Sequence, residues 1–420
     1  MVQNYYKSSP SPWLIWGAAE FFTLFQFLIQ LTGGIIIEPL MQDFTINAVS
    51  ASFIISGFYY MYISLQVPVG IITDKVGPRR LLSWGAFVCG LACILFSQTH
   101  YFYLAFFARL CMGGGAAFAF VGTLNLIREW FPTERYAFLV GMSEMLGMIW
   151  AVCGTLVFAT LLHTFGWRTC MLWCGFFFLL SGILSGLFIR NQNPARKSIK
   201  FEGLSLTLWK RLRLVARSSL AWKNSIYSGL TFSVVTVFVA LWGPIFLQNS
   251  LHVSLSKAAT INSMAFIGIA LGCPLYGFIS QKCKKRRPLL IFSSVSSALF
   301  FSIIIYYPHL SAFTMGALML LVGASCCGYI LCFAIADEIS HNKVKSTYTG
   351  FTNAICTITA PMLQPIIGYI LDLGASQHGH YTHSDFQLGL SVVLVALLAS
   401  AGIAWFMPET FVDSCQKPID

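Results

Sequence analysis

The chain has 420 residues, of which 57 % are hydrophobic and only 10 % charged, with a net charge of +11 and a mean hydropathy of +0.73. Water-soluble proteins carry about 25 % charged residues. That deficit excludes a soluble enzyme and predicts a protein that crosses a membrane many times. One crossing takes about 20 helical residues, so with loops this length holds roughly twelve crossings and no large soluble domain.

In chain order, apolar runs fall near 13–37, 49–72, 81–98, 102–127, 137–162 and 169–189. A second set follows near 225–247, 259–280, 289–307, 311–335, 347–371 and 387–407. The expected fold is all-α and integral to the membrane, with twelve transmembrane helices in two pseudo-symmetric six-helix bundles. Its boundaries are a terminus over 1–12, a bundle over 13–189, a linker over 190–224, a bundle over 225–407 and a terminus over 408–420. The first run has no small-residue cleavage site and carries Glu20, Gln26 and Gln30, so it reads as a retained helix. In the linker, LSLTLWKRLRLVARSS (Leu204 to Ser219) alternates apolar and basic residues at helical spacing. That is the pattern of an amphipathic helix on an anionic leaflet.

The charges are a topology signal. With the N-terminus cytoplasmic, 23 of the 26 Lys and Arg residues fall on the cytoplasmic side; Arg168 and Lys257 fall outside and Arg109 lies within a span. Both termini are therefore expected in the cytoplasm, and no nucleic-acid partner is expected. The 13 cysteines lie mostly in apolar runs (Cys89, Cys93, Cys111, Cys153, Cys326, Cys327) without a CxxC pair. They read as small packing residues, and no cofactor is expected.

The loop VPVGIITDKVGPRR (Val67 to Arg80) sets Gly70, Asp74, Lys75, Gly77, Arg79 and Arg80 in the pattern G-x-x-x-D-[RK]-x-G-[RK]-[RK]. Gly70 would let a neighbouring helix come close, Asp74 would pair with a cation or cap a helix, and the arginines would bridge to the partner half and hold one face shut. A second loop, GFISQKCKKRR, begins at Gly277, 207 residues after Gly70, and places Lys282, Arg286 and Arg287 on Lys75, Arg79 and Arg80. Gln281 and Lys284 replace Asp74 and Gly77, so the second copy is degraded. Such a repeat is expected of two six-helix halves, and these residues form the predicted conformational gate. In the fourth run, RLCMGGGAA (Arg109 to Ala117) sets an intramembrane arginine before three glycines. An ionisable residue at that depth is a functional candidate.

These motifs resemble the signatures of the major facilitator superfamily. The segments GPRRLL, GGGAAFAFVGTLNLIREWFPTER and GFTNAICTITAPMLQPIIGYILD look like its phagosomal transporter (Pht) branch in intracellular bacteria. The resemblance implies the inner membrane and import of an amino acid first, a nucleoside second, by alternating access. Siderophore importers share much of the pattern, which keeps a siderophore or organic-anion importer as an alternative. The fifth run, GMSEMLGMIWAVCG, lacks the Gly-Pro dipeptide and paired glycines usual in drug–proton antiporters, which places efflux after uptake. A non-transporting membrane sensor ranks last, and an enzyme is not expected because no nucleophile–base motif lies in the runs.

Polar residues at membrane depth are expected to face a cavity. Thr23, Gln26, Gln30, Gly33 and Gly34 share one face of the first helix, and Ser52, Ser56, Tyr59, Tyr62 and Gln66 one face of the second. In the second half, Trp242 begins a Trp-Gly-Pro sequence expected to bend or break its helix, and Asn262, Asn353 and Gln364 are the other uncharged polar groups. Gln26, Gln30, Tyr59, Tyr62, Gln66, Trp242, Asn262, Asn353 and Gln364 form the predicted substrate site. Amides, phenols and hydroxyls outnumber charges in it, which favours a zwitterionic or neutral solute over a polyanion.

Glu20, Arg109 and Glu144 are the predicted proton-coupling set, with either carboxylate as carrier and Arg109 as modulator. SQHGHYTHSD carries His378, His380, His383 and Asp385. Their spacing admits Zn²⁺ or Cu²⁺, but a hydrophilic loop is the reading adopted and no metal is expected. The expected partners are a small-molecule substrate, a proton and membrane lipids, and the expected state is a monomer.

Overall fold

A computed structural model describes residues 11–31, 33–46, 48–191, 208–307, 310–340, 344–378 and 382–411. Among them, twelve helical spans are long and apolar enough to cross a membrane. They are α1 (Pro12–Gln30), α2 (Phe53–Thr73), α3 (Pro78–Gln98), α4 (Phe102–Trp130), α5 (Thr133–Gly154) and α6 (Thr164–Phe188), then α7 (Ser219–Leu251), α8 (Lys257–Cys283), α9 (Arg287–Tyr306), α10 (Ala312–Glu338), α11 (Lys345–Leu371) and α12 (His383–Trp405). Hydroxyl caps start four of them. Ser218, Ser254 and Ser311 each accept a backbone N–H three residues on, and Thr382 forms a capping box with Asp385. A further helix, Leu208–Arg217, occupies the described part of the linker. It buries Arg211 and Val215, four residues apart, and exposes Trp209 and Leu214.

The chain forms two compact units. Unit 1 comprises 1–133, 150–212 and 342–350; unit 2 comprises 134–149, 213–341 and 351–420. The first turns of α5 thus belong to unit 2 and those of α11 to unit 1. Inside unit 1, α2 and α11 meet backbone to backbone at two glycines. A Cβ on Gly70 would strike the Ser346 carbonyl, and one on Gly350 the Gln66 carbonyl. Inside unit 2, α5 and α8 meet in the same way: a Cβ on Gly277 would strike the Ala137 carbonyl, and one on Gly141 the Cys273 carbonyl. Gly70 and Gly277 are 207 residues apart and so are Gln66 and Cys273, while each helix facing them is offset by 209. The internal repeat therefore extends to helix contacts, well beyond the loop motif.

The loop itself repeats its backbone. Gly77, before α3, has φ +82°, and Lys284, before α9, takes the corresponding position with φ +53°. A side chain there costs energy that glycine avoids, so the second copy keeps the turn after losing the residue suited to it.

In α4 the three glycines are not equivalent. A Cβ on Gly113 would meet the Phe58 carbonyl of α2, and one on Gly115 would lie 2.5 Å from the Gly85 carbonyl of α3. Gly114 points away, its nearest neighbour being Leu65 Cδ1 at 3.5 Å. Gly114→Ala is expected to stabilise the protein by about 0.5–1 kcal/mol through helix propensity. Gly113→Ala should lower the melting temperature, because a backbone carbonyl cannot rotate aside. Thermal unfolding of the two variants in detergent checks the contrast.

Candidate functional site

In unit 1, α1, α2 and α4 bring polar groups together inside an apolar bundle. Gln26 is 1 % exposed, and its Nε2 donates to Gln30 Oε1 at 2.6 Å. The Tyr59 hydroxyl donates to the Gln30 carbonyl at 3.1 Å, and the Thr23 and Thr123 hydroxyls lie 3.0 Å apart. Gln26 Oε1 is buried with no donor among the described residues. These contacts tie α1 to α2 and α4, and they leave an acceptor without a partner in the middle.

Arg109 is fully buried beside this group, within electrostatic range of the Tyr59 phenol. Its Nη1 reaches the Ile29 carbonyl at 3.5 Å and its Nη2 the Ile55 carbonyl at 3.4 Å, both long. The guanidinium lies 5.4 Å from the Phe58 ring centroid and 5.9 Å from that of Phe96. Among the described residues no carboxylate pairs with it, and Nε has no acceptor. A buried cation normally has a counter-ion. Among the described residues none stands beside this one.

The other unit 1 candidates are more dispersed. Tyr62 stacks on Phe58 at 5.6 Å, and Gln66 is buried at the α2–α11 crossing. Glu20 is 3 % exposed, and no ion pair joins it to Arg109. Of the face-sharing residues, the side chains of Gly33, Gly34 and Ser52 lie outside those described. At the end of α4, Asn125 donates to the Ser346 hydroxyl at 2.7 Å, while Arg128 reaches Ser346 and Thr349 at 3.3 Å. The sequence had marked Arg128 only as a topology charge.

Unit 2 gathers its groups around α7. Val234–Trp242 is a π-helical stretch set between the α-helices Ser219–Ser233 and Gly243–Leu251. The helix does not break at Trp242–Pro244: Trp242 and Gly243 keep helical dihedrals, and Pro244 falls in the first turn of the following helix. The Gly243 N–H bonds Phe238 O, five residues back, so proline's missing N–H at 244 leaves Val239 O without a backbone donor. Wide π turns displace carbonyls from their regular donors, and side-chain amides serve them instead. Gln364 Nε2 donates to Thr236 O at 2.8 Å, and Asn262 Nδ2 to Val239 O at 2.9 Å. Asn262 Oδ1 and Trp242 Nε1 remain buried without partners among the described residues. Asn353 is buried on α11.

Glu144, on the part of α5 within unit 2, is 3 % exposed and accepts a hydrogen bond from the Tyr329 hydroxyl of α10 at 2.9 Å. The same hydroxyl lies 3.5 Å from Cys273 Sγ. Sequence reasoning missed Tyr329, since no local pattern marks a phenol 185 residues from its carboxylate.

Three arginines of the repeated loops, Arg79, Arg286 and Arg287, find partners within their own units. Arg79 Nε and Nη2 donate to the Gly186 carbonyl, and its N–H donates to Asn191 Oδ1 at 2.9 Å. Arg286 pairs with Glu338 at 2.7 Å. The N–H groups of Arg286 and Arg287 donate to Glu409 at 2.7 and 3.2 Å, and Arg287 Nη2 donates to the Trp405 carbonyl. Lys282 is exposed. The side chains of Asp74 and Lys75 lie outside those described, as do His380 and the side chain of His378. His383 Nδ1 lies 3.1 Å from Ser250 Oγ with its ring stacked on Phe246, and Asp385 is spent in the capping box.

The profile of the Major Facilitator Superfamily matches residues 21–365. The chain belongs to this superfamily. It is a multi-pass membrane protein and a secondary transporter, not an enzyme, with the major facilitator fold of two pseudo-symmetric six-helix bundles. A proton:xylose symporter, XylE, shares that fold with a TM-score of 0.74 at 14 % identity, covering 95 % of this chain and 96 % of its own. FucP in an outward conformation gives 0.70 at 13 %, covering 92 % and 98 %. Among relatives in sequence, the probable L-galactonate transporter of Escherichia coli K12 is 22 % identical over 87 % of this chain and 82 % of its own. The probable galactarate/D-glucarate transporter GudP of the same strain is 21 % identical over 85 % and 86 %. These relatives are sugar-acid transporters by name. They support this major facilitator's membership of the superfamily and lend nothing to the resemblance to the phagosomal branch.

Proposed function

We propose that this transporter imports a small hydroxylated organic acid by proton symport, in place of the amino acid or nucleoside expected from sequence. The observation that carries the reading is Arg109, a buried cation whose counter-ion place is vacant among the described residues. A substrate carboxylate would complete it, and charge-assisted hydrogen bonds to arginine are the strong kind. Gln26, Gln30 and Tyr59 would meet substrate hydroxyls, with Gln26 Oε1 as a ready acceptor. The remaining predicted substrate residues, Tyr62, Gln66, Trp242, Asn262, Asn353 and Gln364, would complete the wall as access alternates. The names of the sequence relatives support the same class.

For coupling, Glu144 would carry the proton and Tyr329 would hold the carboxylate between turnovers, with Glu20 as the second carrier. The proton symport named for XylE, and for FucP in a second solved structure described as a fucose:proton symporter, supports this mode. Gly70, Asp74, Lys75, Gly77, Arg79, Arg80, Lys282, Arg286 and Arg287 would set the gate. The protein would work as a monomer in a bacterial inner membrane with both termini cytoplasmic.

A thermal-shift panel of L-galactonate, galactarate, D-glucarate, amino acids and nucleosides tests the substrate class. Protection by sugar acids supports the reading, and protection by amino acids alone overturns it. Glu144→Gln is expected to leave exchange of preloaded substrate intact while abolishing its accumulation against a gradient. Proteoliposome uptake with and without a pH gradient measures both, and undiminished accumulation would remove Glu144 as carrier.

A further inference from the structure

We propose that unit 1 holds a second binding site, for the phosphate of an anionic membrane lipid, in the cleft beside the first turns of α3. The cleft has a volume of about 600 Å³ and is lined by Val76, Arg79, Arg80, Ser83, Trp84 and Asn191. It is separate from the polar group around Arg109 and does not depend on which solute is carried.

The argument begins with unspent charge. Arg79 commits Nε and Nη2 to the Gly186 carbonyl, which leaves Nη1 without a partner among the described residues. Arg80 is exposed and makes no hydrogen bond or ion pair among the described residues. Two adjacent guanidinium groups therefore line one cleft with no described carboxylate facing them. Arginine donors in this arrangement match phosphate oxygens.

The internal repeat provides a control within the same molecule. Arg286 and Arg287 occupy the positions of Arg79 and Arg80 in the second copy, and there the anion is built in. Glu409 accepts from both backbone N–H groups, Glu338 pairs with the Arg286 side chain, and Arg287 is capped by the Trp405 carbonyl. In the first copy Asn191 accepts the Arg79 N–H as Glu409 accepts that of Arg286, but it carries no charge. One copy is thus neutralised from within, and the other is left open to an anion from outside.

The apolar part of the cleft decides between a soluble anion and a lipid. Trp84 lies four residues after Arg80, hence on the same helical face, and is 69 % exposed; Val76 is also exposed. An exposed tryptophan at the end of a membrane span marks the headgroup level. Cations beside exposed apolar side chains at that level suit a molecule with a phosphate and an acyl chain, and basic pockets at span ends take anionic headgroups.

The test uses the full-length protein in phosphatidylcholine nanodiscs doped with phosphatidylglycerol. Native mass spectrometry counts retained lipid, and thermal unfolding reads the protection. Phosphatidylglycerol should be retained and should raise the melting temperature. Arg80→Gln should weaken that response about tenfold, roughly the loss of one charge-assisted hydrogen bond. Asn191→Glu, which installs the carboxylate of the other copy, should abolish the response while raising the melting temperature in phosphatidylcholine alone. Arg135→Gln, which removes an exposed cation elsewhere, should leave it unchanged. The proposal is overturned if Arg80→Gln and Asn191→Glu both bind phosphatidylglycerol as the parent does, or if phosphatidylcholine protects equally. Equal protection by inorganic phosphate or glycerol 3-phosphate would show a site for free anions and remove the lipid.

Discussion

Arg109→Met is expected to raise the melting temperature and to reduce sugar-acid uptake by about 100-fold. The two effects share one cause. A fully buried guanidinium has lost its hydration and regains, among the described residues, two long carbonyl contacts, a weak one to Met112 Sδ at 3.7 Å and two ring faces. Replacing even a buried ion pair with apolar side chains of similar volume is commonly neutral or stabilising by about 1–4 kcal/mol, and a buried charge with no ion-pair partner has less to lose. The acceptors would not suffer, since backbone carbonyls of a helix keep their own helical bonds. Uptake would lose a charge-assisted contact of about 1.5–3 kcal/mol. A residue kept only for structure behaves oppositely, because its removal lowers stability and reduces uptake merely in proportion to folded protein. Thermal unfolding and proteoliposome uptake on one preparation separate the cases. A fall in melting temperature together with retained specific uptake would refute a functional Arg109.

Alanine at the helix crossings should do comparable damage for a different reason. At Gly70 and Gly350 in unit 1, and at Gly141 and Gly277 in unit 2, the obstacle to a methyl group is a carbonyl of the facing helix. No rotamer change relieves it, so the helices must separate, at about 1–3 kcal/mol per site. The pattern of combination is the sharper expectation. Gly70→Ala and Gly350→Ala act on one crossing, so the pair should cost clearly less than the sum of the singles. Gly70→Ala and Gly277→Ala lie in different units and should add within about 0.5 kcal/mol. A double-mutant cycle on melting temperature and uptake checks both. Simple additivity at a single crossing would mean that the helices do not touch there as described.

Much of the fold is legible in sequence because lipid imposes long apolar runs and charge sorts the loops between them. The repeated loop was equally plain, since Gly70 and Gly277 keep the same spacing to their arginines. What those arginines bind was not plain. A bridge to the other half was expected, whereas Arg79 uses a carbonyl of α6 and Arg286 uses Glu338 and Glu409. A count of basic residues cannot reveal the acceptor when that acceptor is a backbone oxygen or lies 52 or 123 residues away, as Glu338 and Glu409 do. The polar faces of α1 and α2 were found by helical spacing, and Gln26, Gln30 and Tyr59 do meet. Tyr329 escaped notice because its link to Glu144 is purely tertiary. The proposed substrate class is not legible in composition, where one arginine is outvoted by many amides, although a single buried charge weighs more than they do.

The wide turns of α7 have a bearing on how distant relatives are aligned. A π turn closes its bond one residue later than an α turn, so a chain containing one fits an additional residue between the same two end points. Residues beyond Trp242 are therefore out of phase with a helical wheel drawn from Ser219, and Gln248 faces a direction that a constant angular step would assign to a neighbour. In any superfamily member whose seventh helix lacks these turns, the matching column slips by a position at Gly243. Single-residue gaps placed inside this helix would then be structural, and not errors of alignment.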